Sequence, residues 1–136
     1  MGLQVYPGPW RIMMCDFNTG FKIPEMVKRR PVITISKRRD DEAPLCTVIP
    51  ISTVRPEVIR DYHYLLPTDE MPRYLRSGKH QNWVKVDMVT TVAFFRLTLL
   101  WYGRDAYGNR VYQTRPIADK HKAAISHKIA QHLAIK

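Results

Sequence analysis

Apolar residues along this chain gather in short runs cut by turn-forming residues, until a longer period takes over near the C-terminus. Residues 11–17 (RIMMCDF) form the first run, opened by Pro9. Residues 31–36 (PVITIS) and Leu45–Ser52 (LCTVIPIS) are rich in β-branched side chains, which pack well on a pleated surface. Pro50 cannot donate to a strand ladder and predicts a strand end or edge. Residues 62–66 and 83–89 read as further strands, while 94–102 and 110–114 flank YGRDAYGN, a hairpin loop by its Gly, Asp and Asn content. Five to seven short strands without intervening helices predict a mainly β (α+β) fold: a closed or nearly closed small barrel, not a parallel α/β sheet. Beyond Pro116 the period changes. Ala118, Ile125, Ile129 and Leu133 share one helical face, with Asp119 as N-cap, which predicts one C-terminal amphipathic helix packed on the barrel. Residues 69–81, with Pro72 and Gly78, read as a long surface loop.

A length of 136 residues suits a single domain spanning 1–136, because two separate cores would each be undersized. At 45% hydrophobic and 25% charged the chain is expected to fold. Charge then narrows the partners. Lys and Arg number 22 against 12 Asp and Glu, a formal +10, which points to a polyanion and to nucleic acid first. A merely solubilising basic surface is the plainer alternative. Residues near the N-terminus, broken by Pro7 and Pro9, lack the pattern of a targeting signal. The most apolar stretch, 92–102, is interrupted by Arg96 and too short to span a bilayer, so no membrane role is expected. Cys15 and Cys46 lie in apolar runs without CxxC spacing, which suits neither a zinc site nor a disulfide scaffold. Buried free thiols in a cytoplasmic protein, with no metal and no cofactor, are the expectation.

The densest candidate chemistry is Glu25-Met26-Val27-Lys28-Arg29-Arg30-Pro31, which leads straight into the PVITIS strand. An arginine held at a strand entrance suits bidentate contact with phosphate, although an ordinary charged loop would look the same. A second basic cluster, Lys37-Arg38-Arg39, leaves the other end of that strand, roughly 20 Å away. Asp40-Asp41-Glu42 follow it directly, so it reads as a solvated turn. His63, His80, His121, His127 and His132 show no paired spacing and read as surface or packing residues. Trp10, Trp83 and Trp101 read as core or interface residues before base-stacking ones. No phosphate-binding Gly-rich loop, GxSxG elbow or HExxH motif occurs.

Taken in order, GPWRIMMCDF, a Glu five residues before an RP pair, PVITIS, VIPIST and VKVDMV resemble the MazF/PemK (Kid) toxin family over nearly the whole chain. The resemblance implies an SH3-like small barrel with a long helix, working as a homodimer. Carried over by position, it marks Arg30 and Glu25 in the first cluster, and Ser52 with Thr53 after the third run. It also marks Lys85 and Asp87 near the fifth, where Lys85 replaces an Arg. Family members commonly carry Gly just before the Glu and Gln after it. Here Gly20 is separated from Glu25 by Phe-Lys-Ile-Pro, and Met26 follows.

The implied activity is that of a type II toxin–antitoxin toxin: metal-independent, sequence-selective cleavage of single-stranded RNA, with a cognate antitoxin whose acidic disordered tail occupies the RNA groove. Attack by the 2′-hydroxyl needs a base, groups that stabilise a dianionic transition state, and an acid for the 5′-oxygen. The catalytic set would be Arg30, Asp87, Glu25 and Ser52, with Thr53, Lys85, Lys28 and Arg29 holding substrate. Asp87 is preferred as base on the expectation that it and Lys85 alternate along one strand and share a face. Two alternatives remain at this level: a non-catalytic nucleic-acid-binding barrel, and a toxin of the same fold acting on a protein target.

Overall fold

The computed structural model describes residues 2–72, 75–76, 81–112 and 115–135. Seven strands make one antiparallel sheet: β1 (Ile12–Asp16), β2 (Arg29–Thr34), β3 (Leu45–Ser52), β4 (His63–Leu66), β5 (Asn82–Lys85), β6 (Thr90–Ala93) and β7 (Leu97–Leu99). A separate ribbon pairs β8 (Trp101–Arg104) with β9 (Arg110–Tyr112), and one α-helix among the described residues, α1 (Asp119–His132), follows it.

The apolar runs are nearly continuous because this sheet buries both faces. Alternate residues of a strand point to opposite sides. One side gathers Ile12, Ile33, Ile49, Ile51, Val84 and Ile125; the other gathers Met13, Cys15, Phe17, Val32, Val48 and Leu97. Burial in the second cluster pushes the Cys15 thiol up to about 12 and Cys46 to about 11, so both stay protonated and inert at neutral pH.

Strand content and the single helix match expectation, but the barrel is not closed. The strands run β4-β5-β3-β2-β1-β7, and the terminal strands β4 and β7 do not pair with each other. The cause is β3. Its N-terminal half pairs with β6 (Val48↔Thr90) and its C-terminal half with β5 (Ile51↔Val84), so one long strand serves two partners along the same edge. The open ends are partly covered. Leu3 N–H donates to Leu97 O beside β7 (2.8 Å), and α1 lies against β4.

That sharing also breaks the strand expected at 83–89. From Val84 to Thr90 the chain advances six residues, whereas β3 advances three from Ile51 to Val48. The excess coils into a 3-10 turn, Val86–Met88, tied down by Val86 N–H on Tyr62 O (3.0 Å). The run 94–102 is likewise divided by a turn at Phe94–Arg96, where Arg96 reaches Asp16 O and Thr19 O.

The helix shifts its buried stripe from the expected one. Ile117, His121 and Ile125 are buried and Ile129 half-buried, while Ala118 is exposed and Leu133, past the helix end, is half exposed. Ala118 occupies the N-cap position without a side-chain cap; Asp119 is the first helical residue and pairs with Lys122 (3.0 Å). His121 is a packing residue, as expected. Its Nδ1 lies 2.6 Å from Tyr64 Oη and its Nε2 3.5 Å from Glu70 Oε1, fastening α1 to β4. His80 and Gly78, in the loop expected at 69–81, lie outside the described residues. No described helix is long and apolar enough to cross a membrane.

Candidate active site

Strand pairing places side chains from four strands on one face. Directly opposed residues of an antiparallel pair project to the same side. Ser52 opposes Trp83, Trp83 opposes Leu65, and Lys85 opposes His63. The β2–β3 register runs through Val32↔Pro50; continued by two residues, it sets Arg30 across from Ser52. Arg30, Ser52, Lys85 and His63 therefore share the face that buries Val32 and Val48.

Each is held differently. Arg30 is half-buried, and its Nε donates to Val27 O at 3.4 Å, within the loop before β2. Ser52 is buried, and its Oγ accepts Val54 N–H (3.2 Å) as the chain turns out of β3. Thr53 is exposed on that turn. Lys85 is half-buried at the end of β5. Lys28 is exposed, with a left-handed φ of 71°, and its carbonyl accepts Phe17 N–H (2.8 Å).

The two candidate bases meet in space. Glu25 and Asp87 line one cavity of about 370 Å³ together with Phe21, Met26 and Met88. Met26 and Met88 belong to the Val32 side of the sheet, so the cavity opens on the same side as Arg30 and Ser52. Asp87 reaches it from the 3-10 turn and not from a strand, which corrects the expected alternation with Lys85. Its Oδ1 is buried with no hydrogen-bond partner among the described residues. Such an oxygen is costly to leave unpaired, and in a cleft it marks a place for a donor to arrive. Glu25 is exposed and turned toward its own loop: Oε1 accepts Lys22 N–H (3.3 Å), and Glu25 N–H donates to Lys22 O (2.7 Å). Arg30 is not its partner.

Arg29 departs from the rest. Neighbouring strand residues point to opposite faces, and Arg29 lines a different groove, at the β7 edge of the sheet, with Met14 and Leu99. The Lys28-Arg29-Arg30 cluster is thus divided by the sheet. The second cluster behaves as expected: Arg39 forks onto Asp41 (2.9 and 2.6 Å) in an exposed turn, holding that carboxyl down at about 2.

His63, expected as a surface or packing residue, is a packing residue on the site face. It is buried on the site face; its Nδ1 accepts Arg60 N–H (3.0 Å), and its ring meets Tyr62 and Trp83 edge-on. Burial lowers its pKa, Lys85, Arg60 and Lys128 add to the lowering, and Asp87 opposes it. A neutral ring is what an accepting Nδ1 requires. Its place beside Lys85 depends on β4 pairing with β5, which no local signal in the sequence shows. Among the described residues no group of three or more His, Cys, Asp or Glu could hold a metal ion.

An open antiparallel sheet with a C-terminal helix, bearing Arg30, Ser52 and Lys85 on the same side as a cavity lined by Glu25 and Asp87, defines a small, mainly β protein with its polar candidates gathered on one face. The match to a family model is specific. Residues 9–104 fit the PemK-like, MazF-like toxin of type II toxin–antitoxin systems, and the chain belongs to that family. Solved structures agree in fold. MazF from Deinococcus radiodurans superposes with a TM-score of 0.67 at 16% identity, covering 96% of this chain and 99% of that one. An endoribonuclease in complex with its cognate antitoxin, from a mycobacterial species, gives 0.62 at 14% identity, covering 96% and 98%. The Mycobacterium tuberculosis toxin MazF-mt6 gives 0.58 at 14% identity, covering 93% and 98%. No curated protein sequence matches the chain.

Proposed function

We propose that this protein is the toxin of a toxin–antitoxin pair and cuts single-stranded RNA within the cell. The observation that carries the reading is the cavity shared by Glu25 and Asp87, on the face that also bears Arg30, Ser52 and Lys85. Membership of the PemK/MazF family supports it, as does the fold shared with proteins described as endoribonucleases.

In the proposed reaction the 2′-oxygen attacks the adjacent phosphorus and its proton passes to Asp87, whose Oδ1 has no competing donor among the described residues. Arg30 stabilises charge growing on the non-bridging oxygens; as a guanidinium with a pKa above about 12 it is a poor proton donor. Ser52 and Thr53 offer hydroxyls to the same phosphate, and Lys28 adds positive charge nearby. Lys85 gives a proton to the departing 5′-oxygen. The products are a 2′,3′-cyclic phosphate and a 5′-hydroxyl. Side chains supply every group, so cleavage is expected to survive excess EDTA. A cognate antitoxin, acidic enough to compete for the Arg30 face, would hold the enzyme silent, and a homodimer is the expected working form.

Incubating a mixed RNA pool with the protein and sequencing the new 5′-hydroxyl ends tests the reading. Discrete sites bearing cyclic phosphate upstream are expected. Absence of such ends at any enzyme concentration would reject it.

A further inference from the structure

The groove that receives Arg29 lies outside the proposed catalytic face. It is a cleft of about 780 Å³ between the N-terminal residues 2–5, the β7 edge and the β8–β9 ribbon. The ribbon turns one decorated face to it. Trp101 opposes Tyr112, and Arg110 lies two residues from Tyr112, so these three side chains project together and all line the cleft. Both aromatic rings are partly exposed. The Arg110 guanidinium stacks over Trp101, 5.0 Å from the ring centre. Stacking uses the flat face of a guanidinium and leaves its in-plane N–H donors available.

Charge on this face is unbalanced. Arg104, outside the cleft lining and with its Nη1 donating to Gly108 O (2.9 Å), stands directly opposite Arg110, and like charges facing each other across a ribbon destabilise it. Arg29 adds positive charge to the lining, which holds no acidic side chain; Asp16, opposite Arg29 on β1, accepts Asn18 N–H at Oδ1 (2.8 Å). Asp105, the nearest carboxylate in sequence, is turned into the hairpin, where Oδ1 accepts Tyr107 N–H and Asn109 N–H at 2.8 and 3.0 Å. Neither Arg29 nor Arg110 donates a side-chain hydrogen bond among the described residues. The site therefore wants an anion that also carries flat rings. Single-stranded nucleic acid meets both needs, with bases on the aromatics and phosphates on the arginines.

We propose that this cleft is a second RNA-binding surface, holding nucleotides beyond the cleaved step, with Trp101 and Tyr112 stacking bases, Arg29 and Arg110 gripping phosphates, and Arg104 adding positive charge from the ribbon beside it. It rests on the RNA-cutting reading for its biological use, but not for its binding chemistry. Arg29 and Arg30 are consecutive and point to opposite faces, so a strand passing around the entrance of β2 connects the two surfaces. Arg110 and Tyr112 lie past the span matched by the family model, so this surface draws on a part of the chain beyond it.

Binding is measured with 2′-O-methyl strands, which cannot be cut, of about 4 and about 12 nucleotides, a range set by typical single-strand site sizes. The Arg104→Gln/Arg110→Gln protein should bind the long strand about tenfold or more weakly, with a log–log salt slope shallower by about 0.7 per lost phosphate contact. The short strand should bind as to wild type, and kcat on a short RNA should not change. Trp101→Ala should weaken long-strand binding about fivefold or more. Equal long-strand affinity in all three proteins would overturn the proposal. So would loss of poly-glutamate binding with RNA binding intact, which makes the cleft a protein site, or a change of oligomeric state on a sizing column, which makes it a subunit contact. If wild type cuts no RNA but long-strand binding still depends on Arg104 and Arg110, the cleavage reading fails and the surface stands.

Discussion

Asp87 and Glu25 line the same cavity, yet the chain supports them in different ways. Asp87 rides on a 3-10 turn that begins with fully buried Val86, hydrogen-bonds to Tyr62 O and packs beneath α1. Glu25 projects from an exposed loop whose hydrogen bonds close on itself through Lys22, with Met26 as its buried anchor. A group on an anchored turn is held where a reacting atom must be, and that preorganisation is what makes a catalytic group effective. A loop-borne carboxylate suits a role that tolerates movement, such as shaping the cavity for a base. In the proposed reaction, the difference gives proton transfer to Asp87 and accommodation to Glu25.

The sharpest way to break that comparison is a pair of isosteric changes. Asp87→Asn keeps shape but cannot take the 2′-proton, and a rate loss of about 10²- to 10⁴-fold is expected. Glu25→Gln should stay within about tenfold, with the effect mainly on KM. Single-turnover cleavage of one oligonucleotide by both proteins decides it, and the reverse ranking would exchange the two roles. Next in size, Arg30→Ala should lower kcat on the order of a hundredfold, with little change in the melting temperature. Near-normal cutting by that variant would move the phosphate site elsewhere.

Stability sharpens the picture further. Val86→Ala removes two fully buried methyl groups under the Asp87 turn and should cost about 2 kcal/mol in urea unfolding. It should also lower kcat at temperatures where the fold is intact, while a variant that loses stability alone would leave the turn without influence on rate. The smallest expected effect is a pH dependence. His63 titrates below its ordinary value of about 6.5 when folded, because burial disfavours the imidazolium. The unfolded chain then binds the proton more readily, so this residue's stabilising contribution is full above about pH 6.5 and is lost as pH falls through the folded-state value. Unfolding curves of wild type and His63→Gln from neutral to mildly acidic pH should converge toward the acid end. Parallel curves would count against a buried neutral ring.

Much of the fold was legible because its signals are local. β1, β2 and β3 follow from apolar, β-branched runs, and the helix from its period. What escaped depends on partners distant in sequence. Nothing within VKVDMV tells that β3 will be shared between β5 and β6, and that sharing is what takes Asp87 off the strand and leaves the sheet open. His63 reached the site face only through the β4–β5 register. The split of Arg29 from Arg30 was readable in principle, since adjacent strand residues diverge, but the cluster reads as one patch until the strand is known to begin at Arg29. The helix stripe was misplaced because His121, satisfied by Tyr64 and Glu70, takes a core position that an apolar pattern does not assign to histidine.

In the proposed reaction the cavity joining Asp87 and Glu25 cuts RNA through the 2′-hydroxyl. That step is tested most directly by giving the wild-type protein a single-stranded oligonucleotide containing one mapped cleavage site, beside a copy with 2′-deoxy at the nucleotide preceding the cut. Products are read by mass spectrometry in EDTA. The account predicts a 2′,3′-cyclic phosphate and a 5′-hydroxyl from the RNA, and no cleavage of the deoxy copy. Cleavage of the deoxy copy, or 5′-phosphate ends from the RNA, would contradict it.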